Sequence, residues 1–166
     1  MNRLTVALMS TVAMLATAAV AFASSAHTSA ATTVVTTHHT KYGTILVTGS
    51  GRTLYLDVGD KPPHFACTGG CLAAWPPLKA VGKVTAKGAA KAALLGTVKG
   101  PGGKMVTYKG HPLYTWMSDT APGQITGEGV NGFYVVNANG SKVTKAQNTS
   151  SSTTTSSSTS SGGYGY

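Results

Sequence analysis

The most reactive side chains of the sequence are its two cysteines, Cys67 and Cys71, which enclose Thr68-Gly69-Gly70. Two glycines in so short a loop let the backbone fold tightly enough to bring the sulfurs together. A disulfide is the expected state, with a redox-active or metal-binding pair as the alternative. His64, just upstream, would join Met105, His111 and Met117 in a soft-metal set. These candidates lack the tight paired spacing of zinc ligands, so neither a metal nor another cofactor is expected. Haem attachment is disfavoured as well, because Leu72 follows Cys71 where a histidine is needed. Only four acids occur: Asp57, Asp60, Asp119 and Glu128. Two facing carboxylates could serve as acid and base in glycan hydrolysis. Asp60 and Asp119, however, each stand where a strand should end before a proline-containing loop, which is the usual place of a turn-capping aspartate. The serines are concentrated near the C-terminus, and no Ser-His-Asp arrangement is compelling.

The elements that must position these residues come in two copies. Sliding the sequence so that Gly43 meets Gly102 also brings Val47-Thr48 onto Val106-Thr107, Gly51 onto Gly110 and Leu54-Tyr55 onto Leu113-Tyr114. It brings Asp60 onto Asp119, Trp75 onto the aromatic Tyr134, and Lys83-Val84-Thr85 onto Lys142-Val143-Thr144. Such self-similarity marks a duplicated structural unit. In each copy a β-branched run meets turn residues and resumes as a partner strand, which predicts a hairpin. In the last of these strands, alternation places Leu113 and Thr115 on one face and Tyr114 and Trp116 on the other, the aromatic face packing into a core shared by the repeats. Leu72–Trp75 allows one helical turn before Pro76-Pro77 forbids its continuation. The composition of Lys83–Leu95 suggests a short helix, and Asn139-Gly140 signals a turn after a strand over Gly132–Asn137. The expected fold is therefore mainly β: one small domain of two pseudo-symmetric antiparallel hairpin repeats, about 41–95 and 100–145, with short helical turns.

Around this body the chain changes character. Residues 1–23 carry Arg3, an apolar run from Leu4 to Phe22 and an Ala21-Phe22-Ala23 cleavage pattern, which together read as a secretory signal peptide. Residues 24–40, with His38-His39, read as a flexible lead, residues 41–147 as the duplicated domain, and residues 148–166 as a disordered Ser/Thr-rich tail suited to a sugar-bearing or wall-attached stalk. Thirteen basic residues against four acids give a formal charge of +9. The lysines are dispersed from Lys41 to Lys145, which suits a solvated surface or salt-sensitive attraction to an anionic polymer or headgroup. An exported chain without an aromatic-basic groove pattern is not expected to bind nucleic acid.

Tyr114-Thr115-Trp116-Met117-Ser118-Asp119 fits a Tyr-x-aromatic-x-x-Asp signature. With Cys67-x-x-x-Cys71, Trp75-Pro76-Pro77-Leu78 and Tyr108-Lys109-Gly110-His111-Pro112-Leu113-Tyr114, the chain resembles a bacterial family of predicted secreted repeats and lipoproteins named for that signature. The first copy departs from it, with Asp57 in place of the aromatic, and no cysteine precedes Cys67 to carry a lipid. The resemblance implies an envelope or extracellular location and a duplicated small domain, and it carries no catalytic residues. Leu54, Tyr55, Asp60, Trp75, Leu113, Tyr114, Trp116 and Asp119 are expected to be structural. The expected function is that of an exported, non-enzymatic binding or structural module. Its partner would be an anionic wall polymer, a membrane surface or another exported protein. A redox or copper-handling protein is the first alternative and a glycan hydrolase a distant one.

Overall fold

The computed structural model describes residues 31–144. The expected signal peptide (1–23) and Ser/Thr-rich tail (148–166) lie outside the described residues. Among the described residues eight strands carry the fold: β1 (Thr32–Thr40), β2 (Gly43–Thr48), β3 (Tyr55–Asp57), β4 (Lys83–Ala86), β5 (Leu95–Gly100), β6 (Gly103–Tyr108), β7 (His111–Pro112) and β8 (Phe133–Val135). They form three small sheets, ordered β2-β1-β4, β3-β8 and β5-β6-β7. One helical turn, α1 (Cys71–Ala74), stands where Pro76 ends it.

Two expectations about secondary structure need correction. Residues 32–40, read as part of a flexible lead, form β1, which pairs antiparallel with β2 from Val35↔Thr48 to Thr40↔Gly43. Their threonines and valines are good strand formers, and Val35 is fully buried, so burial against β2 offsets the ordering entropy. Lys83–Leu95 is not a helix. Its first residues form β4, parallel to β1, and only Ala92–Leu94 makes a 3-10 turn. Gly88 adopts a positive φ of 61°, which ends the strand and rules out a continuous helix.

The duplication is visible in the pairings. The β1–β2 hairpin is matched by β5–β6, which pair from Leu95↔Tyr108 to Gly100↔Gly103. After β2 the chain turns at Gly51 (φ 86°), and Leu54 N–H returns to Leu46 C=O at 3.0 Å. After β6 it turns at Lys109-Gly110, and Leu113 N–H returns to Val106 C=O at 3.0 Å. The two motif strands then meet: Tyr55 and Tyr114 exchange both backbone hydrogen bonds at 2.9 Å, so the local two-fold axis runs between these equivalent residues.

Each motif strand completes its pairing with the other repeat. β3 pairs with β8, whereas Tyr114 bridges Pro77 and Thr115 N–H donates to Pro76 C=O. This register equates Trp75 with Phe133, not with Tyr134 as the ungapped match suggests. The loop after Asp119 is one residue shorter than the one after Asp60, and Tyr134 lies on the opposite side of β8.

Because the strands alternate, both faces are buried. One cluster holds Ile45, Val47, Tyr55, Cys67, Trp75, Met105, Tyr114, Phe133, Val135 and Val143. The other holds Val35, Leu46, Leu54, Leu56, Val106, Tyr108, Leu113 and Val136. The single shared core expected from the sequence is thus two clusters, each built from both repeats.

Candidate functional site

The tyrosines and aspartates of the two Tyr-to-Asp segments are drawn into this architecture. Tyr55 and Tyr114 are fully buried, and their hydroxyls cross the axis. Tyr55 donates to Asp119 Oδ2 at 2.6 Å, and Tyr114 donates to Asp60 Oδ2 at 2.6 Å. The second oxygen of each carboxylate organises its own loop. Asp60 Oδ1 accepts the Ala66 N–H at 2.8 Å, and Asp119 Oδ1 accepts the N–H and hydroxyl of Thr126 at 2.9 and 2.7 Å. Each aspartate therefore caps a loop of its own repeat and anchors the tyrosine of the other.

Burial and the neighbouring carboxylates hold both phenols far above the usual tyrosine range, because removing the proton would place a second negative charge beside the first. With Asp60 4% and Asp119 1% exposed, neither carboxylate faces solvent as an acid or base would need to.

The aromatic residues form a stack between the two pairs. The Trp75 indole lies on the Phe133 ring at 3.8 Å and 6°, and Trp116 packs on the other side of Trp75 at 4.3 Å. Tyr55 and Tyr114 approach Trp75 and Phe133 respectively edge-on, each at 5.3 Å. Leu54 and Leu113, also symmetry-related, are buried in the second cluster. Gly127 makes room for the stack: a Cβ there would stand 2.6 Å from the Trp75 ring and 3.0 Å from that of Trp116.

Cys67 and Cys71 are joined as a disulfide, with Cys67 buried in the first cluster and Cys71 opening α1. The soft-metal candidates occupy unlike environments: Met105 is fully buried, Met117 is 58% exposed, His64 is exposed and His111 is half-buried. No group of three or more His, Cys, Asp or Glu side chains suited to a metal ion occurs among the described residues.

Three roles escape a residue-by-residue reading. Tyr108 ties two loops together, its hydroxyl accepting the Lys91 N–H at 2.7 Å and donating to Ala138 C=O at 2.8 Å. Phe133 is the partner of Trp75, which becomes legible only once the shorter second loop is allowed for. Asp57 is 6% exposed, its Oδ1 accepting the Gly59 N–H at 2.8 Å. Burial raises its carboxyl above the usual range, the Gly59 N–H opposes that rise, and the nearby Asp60 adds to it. The break in the repeated motif at Asp57 is the signal that could have singled it out.

A family model described as a secreted repeat of unknown function matches residues 36–79 and again residues 96–136, together just over half of the chain. The two matches fall on the two halves related by the local axis. Neither the curated proteins nor the solved structures contain a match to the chain.

Proposed function

Because the chain belongs to this family of secreted repeats, whose function is unknown, we propose that it is an exported, non-enzymatic module that binds an anionic polymer outside the cell. The observation that carries this reading is the segregation of charge. Every lysine of the described residues is exposed, whereas Asp57, Asp60 and Asp119 are buried and Glu128 is half-buried with its Oε2 accepting the Val135 N–H. Three of the four acids are thus buried, so lysine dominates the exposed charge of the described residues.

The register even places like charges side by side. Lys99 lies directly across from Lys104, an unfavourable cross-strand pair. Ala80 N–H donates to Lys104 C=O, bringing the Lys79 segment alongside. A polyanion laid over this hairpin would relieve the repulsion. The leader read from residues 1–23 suits delivery to that compartment.

The test is co-sedimentation of the purified protein with an anionic cell-wall polymer across a salt series. Binding at low ionic strength that is lost toward about 1 M salt, where screening reaches within ~3 Å, is the expected result. Lys99→Glu with Lys104→Glu should weaken it. Failure to co-sediment at low salt would end the proposal.

A further inference from the structure

The two hairpin tips are equivalent, but what stands beside them is not. Thr40↔Gly43 closes the first hairpin and Gly100↔Gly103 the second, so His38, His39, Thr40 and Lys41 correspond to Val98, Lys99, Gly100 and Pro101. The loop that each tip meets is ordered by an aspartate. Asp60 Oδ1 accepts the Ala66 N–H and Asp119 Oδ1 accepts the Thr126 N–H, which makes Ile125 the counterpart of Phe65. At the second tip the Phe65 ring fills the space, so close that a Cβ on Gly100 would stand 2.8 Å from it. At the first, the smaller Ile125 and the β-branched Thr40 take those places, and a cavity of about 520 Å³ is left open. Its lining gathers His38, His39 and Lys41 from the tip and Gly123, Ile125 and Thr126 from the loop. The side chains of His38, His39, Lys41 and Thr126 are exposed, so the cavity is reached directly from solvent.

We propose that this cavity binds a phosphate group, free or carried on a small polyol or sugar. Two imidazoles and an ammonium border it where the other repeat has Lys99 alone, and none of its lining residues is acidic. The nearby Asp119 turns both oxygens inward, to Tyr55 and Thr126, and is 1% exposed. Local contacts place each cationic side chain. His39 Nδ1 lies 3.3 Å from Thr44 Oγ1, which orients the ring and leaves Nε2 for a ligand. Gly123, at a φ of 75°, brings the loop backbone up to His38, where a Cβ would lie 3.4 Å from Nε2. The Lys41 ammonium stands 5.5 Å from the centre of the Tyr42 ring, a contact that leaves its N–H donors unspent. Separate single donors suit a tetrahedral oxyanion, whose oxygens point in different directions. A planar carboxylate is met best by the paired N–H groups of a guanidinium, and no arginine lines the cavity. The volume exceeds that of one phosphate and leaves room for the group that bears it. The assignment rests on the polyanion reading only for where the phosphate comes from, because the cavity lies at the other hairpin from Lys99 and Lys104.

The experiment is an NMR titration of the full chain, in phosphate-free buffer at low salt, with glycerol 1-phosphate, inorganic phosphate, glycerol and glucuronate. It is followed at the imidazole signals of His38 and His39 and at the amides of Gly123, Ile125 and Thr126. The two phosphates should give saturable shifts there and glycerol none, with glucuronate at least about ten-fold weaker. Tighter binding of glycerol 1-phosphate assigns the site to an ester, and tighter binding of inorganic phosphate assigns it to the free ion. His38→Gln with Lys41→Gln should weaken phosphate binding about ten-fold or more. Thr40→Gly with Ile125→Phe, which reproduces the filled tip of the other repeat, should abolish it. Should that pair fail to fold, the substitutions at the exposed His38 and Lys41 still decide the matter. If the polymer fails to co-sediment while phosphate still shifts these signals, the polyanion reading falls and the site stands. Absence of saturable shifts, equal affinity for glucuronate, or unchanged affinity in the His38→Gln, Lys41→Gln variant would overturn the assignment, even where the polymer co-sediments.

Discussion

Tyr55 and Tyr114 do the same job in the two halves, but the carboxylates they serve are not equally provided for. Asp119 keeps two bonds from Thr126 when Tyr55 is replaced by phenylalanine, whereas Asp60 keeps only the Ala66 N–H when Tyr114 is replaced. A hydrogen bond to a charged group contributes about 1.5–3 kcal/mol, and an under-satisfied buried carboxylate costs more. Tyr55→Phe, however, also strands the buried Gly127 N–H that its hydroxyl accepts, so urea unfolding should show each change to be destabilising by about 1.5–3 kcal/mol. The phenols also set an alkaline limit. Their folded pKa lies above the unfolded value of 10.0, so their contribution is complete below about pH 10 and is lost as pH rises beyond it. Denaturation midpoints should fall above pH 10, and this decline should be much shallower in the double phenylalanine variant.

At the level of elements, α1 is too short to be stable by itself and is held by its connections. The disulfide closes the loop before it, and the Trp75 N–H bonds to Cys71 C=O at 2.8 Å, leading the chain into the aromatic stack. Closure of so short a loop contributes about 2 kcal/mol on the chain-entropy estimate. Replacing both cysteines by alanine should lower unfolding stability by about that amount with the β-sheet circular dichroism retained. Collapse of the fold would show that the sulfur bridge, rather than the two apolar clusters, holds the halves together. The 3-10 turn at Ala92–Leu94 and the strand at Lys83–Ala86 show tertiary pairing overriding helical composition: β1 offers an open edge to Lys83–Ala86, and Gly88 interrupts the helix that composition favours.

For the molecule as a whole, duplication has produced interdependence. Each repeat lends the other a strand, a phenol and a ring of the central stack, so neither apolar cluster is complete within one half. Fragments 31–95 and 96–144 expressed separately should show disordered amide spectra, and mixing them should restore dispersed resonances. A folded single fragment would refute the shared-core arrangement. The same economy explains the surface: among the described residues three of the four acids turn inward and every lysine is exposed, an arrangement that supports the proposed attraction to a polyanion.

The repeated Gly, Leu-Tyr and Asp positions, the turn residues and the β-branched runs determined by themselves a duplicated β domain, because turn chemistry and side-chain alternation act over a few residues and are written in local order. The helical turn before Pro76-Pro77 and the tight Cys67-to-Cys71 loop are local in the same sense. Tertiary structure alone decided that β1 belongs to the fold, that Tyr55 reaches Asp119 rather than Asp60, that Trp75 lies on Phe133, and that His38, His39 and Lys41 border a cavity. Each of these depends on which distant strand lies alongside and in what register, and a single-residue difference in loop length is enough to change which side chains meet.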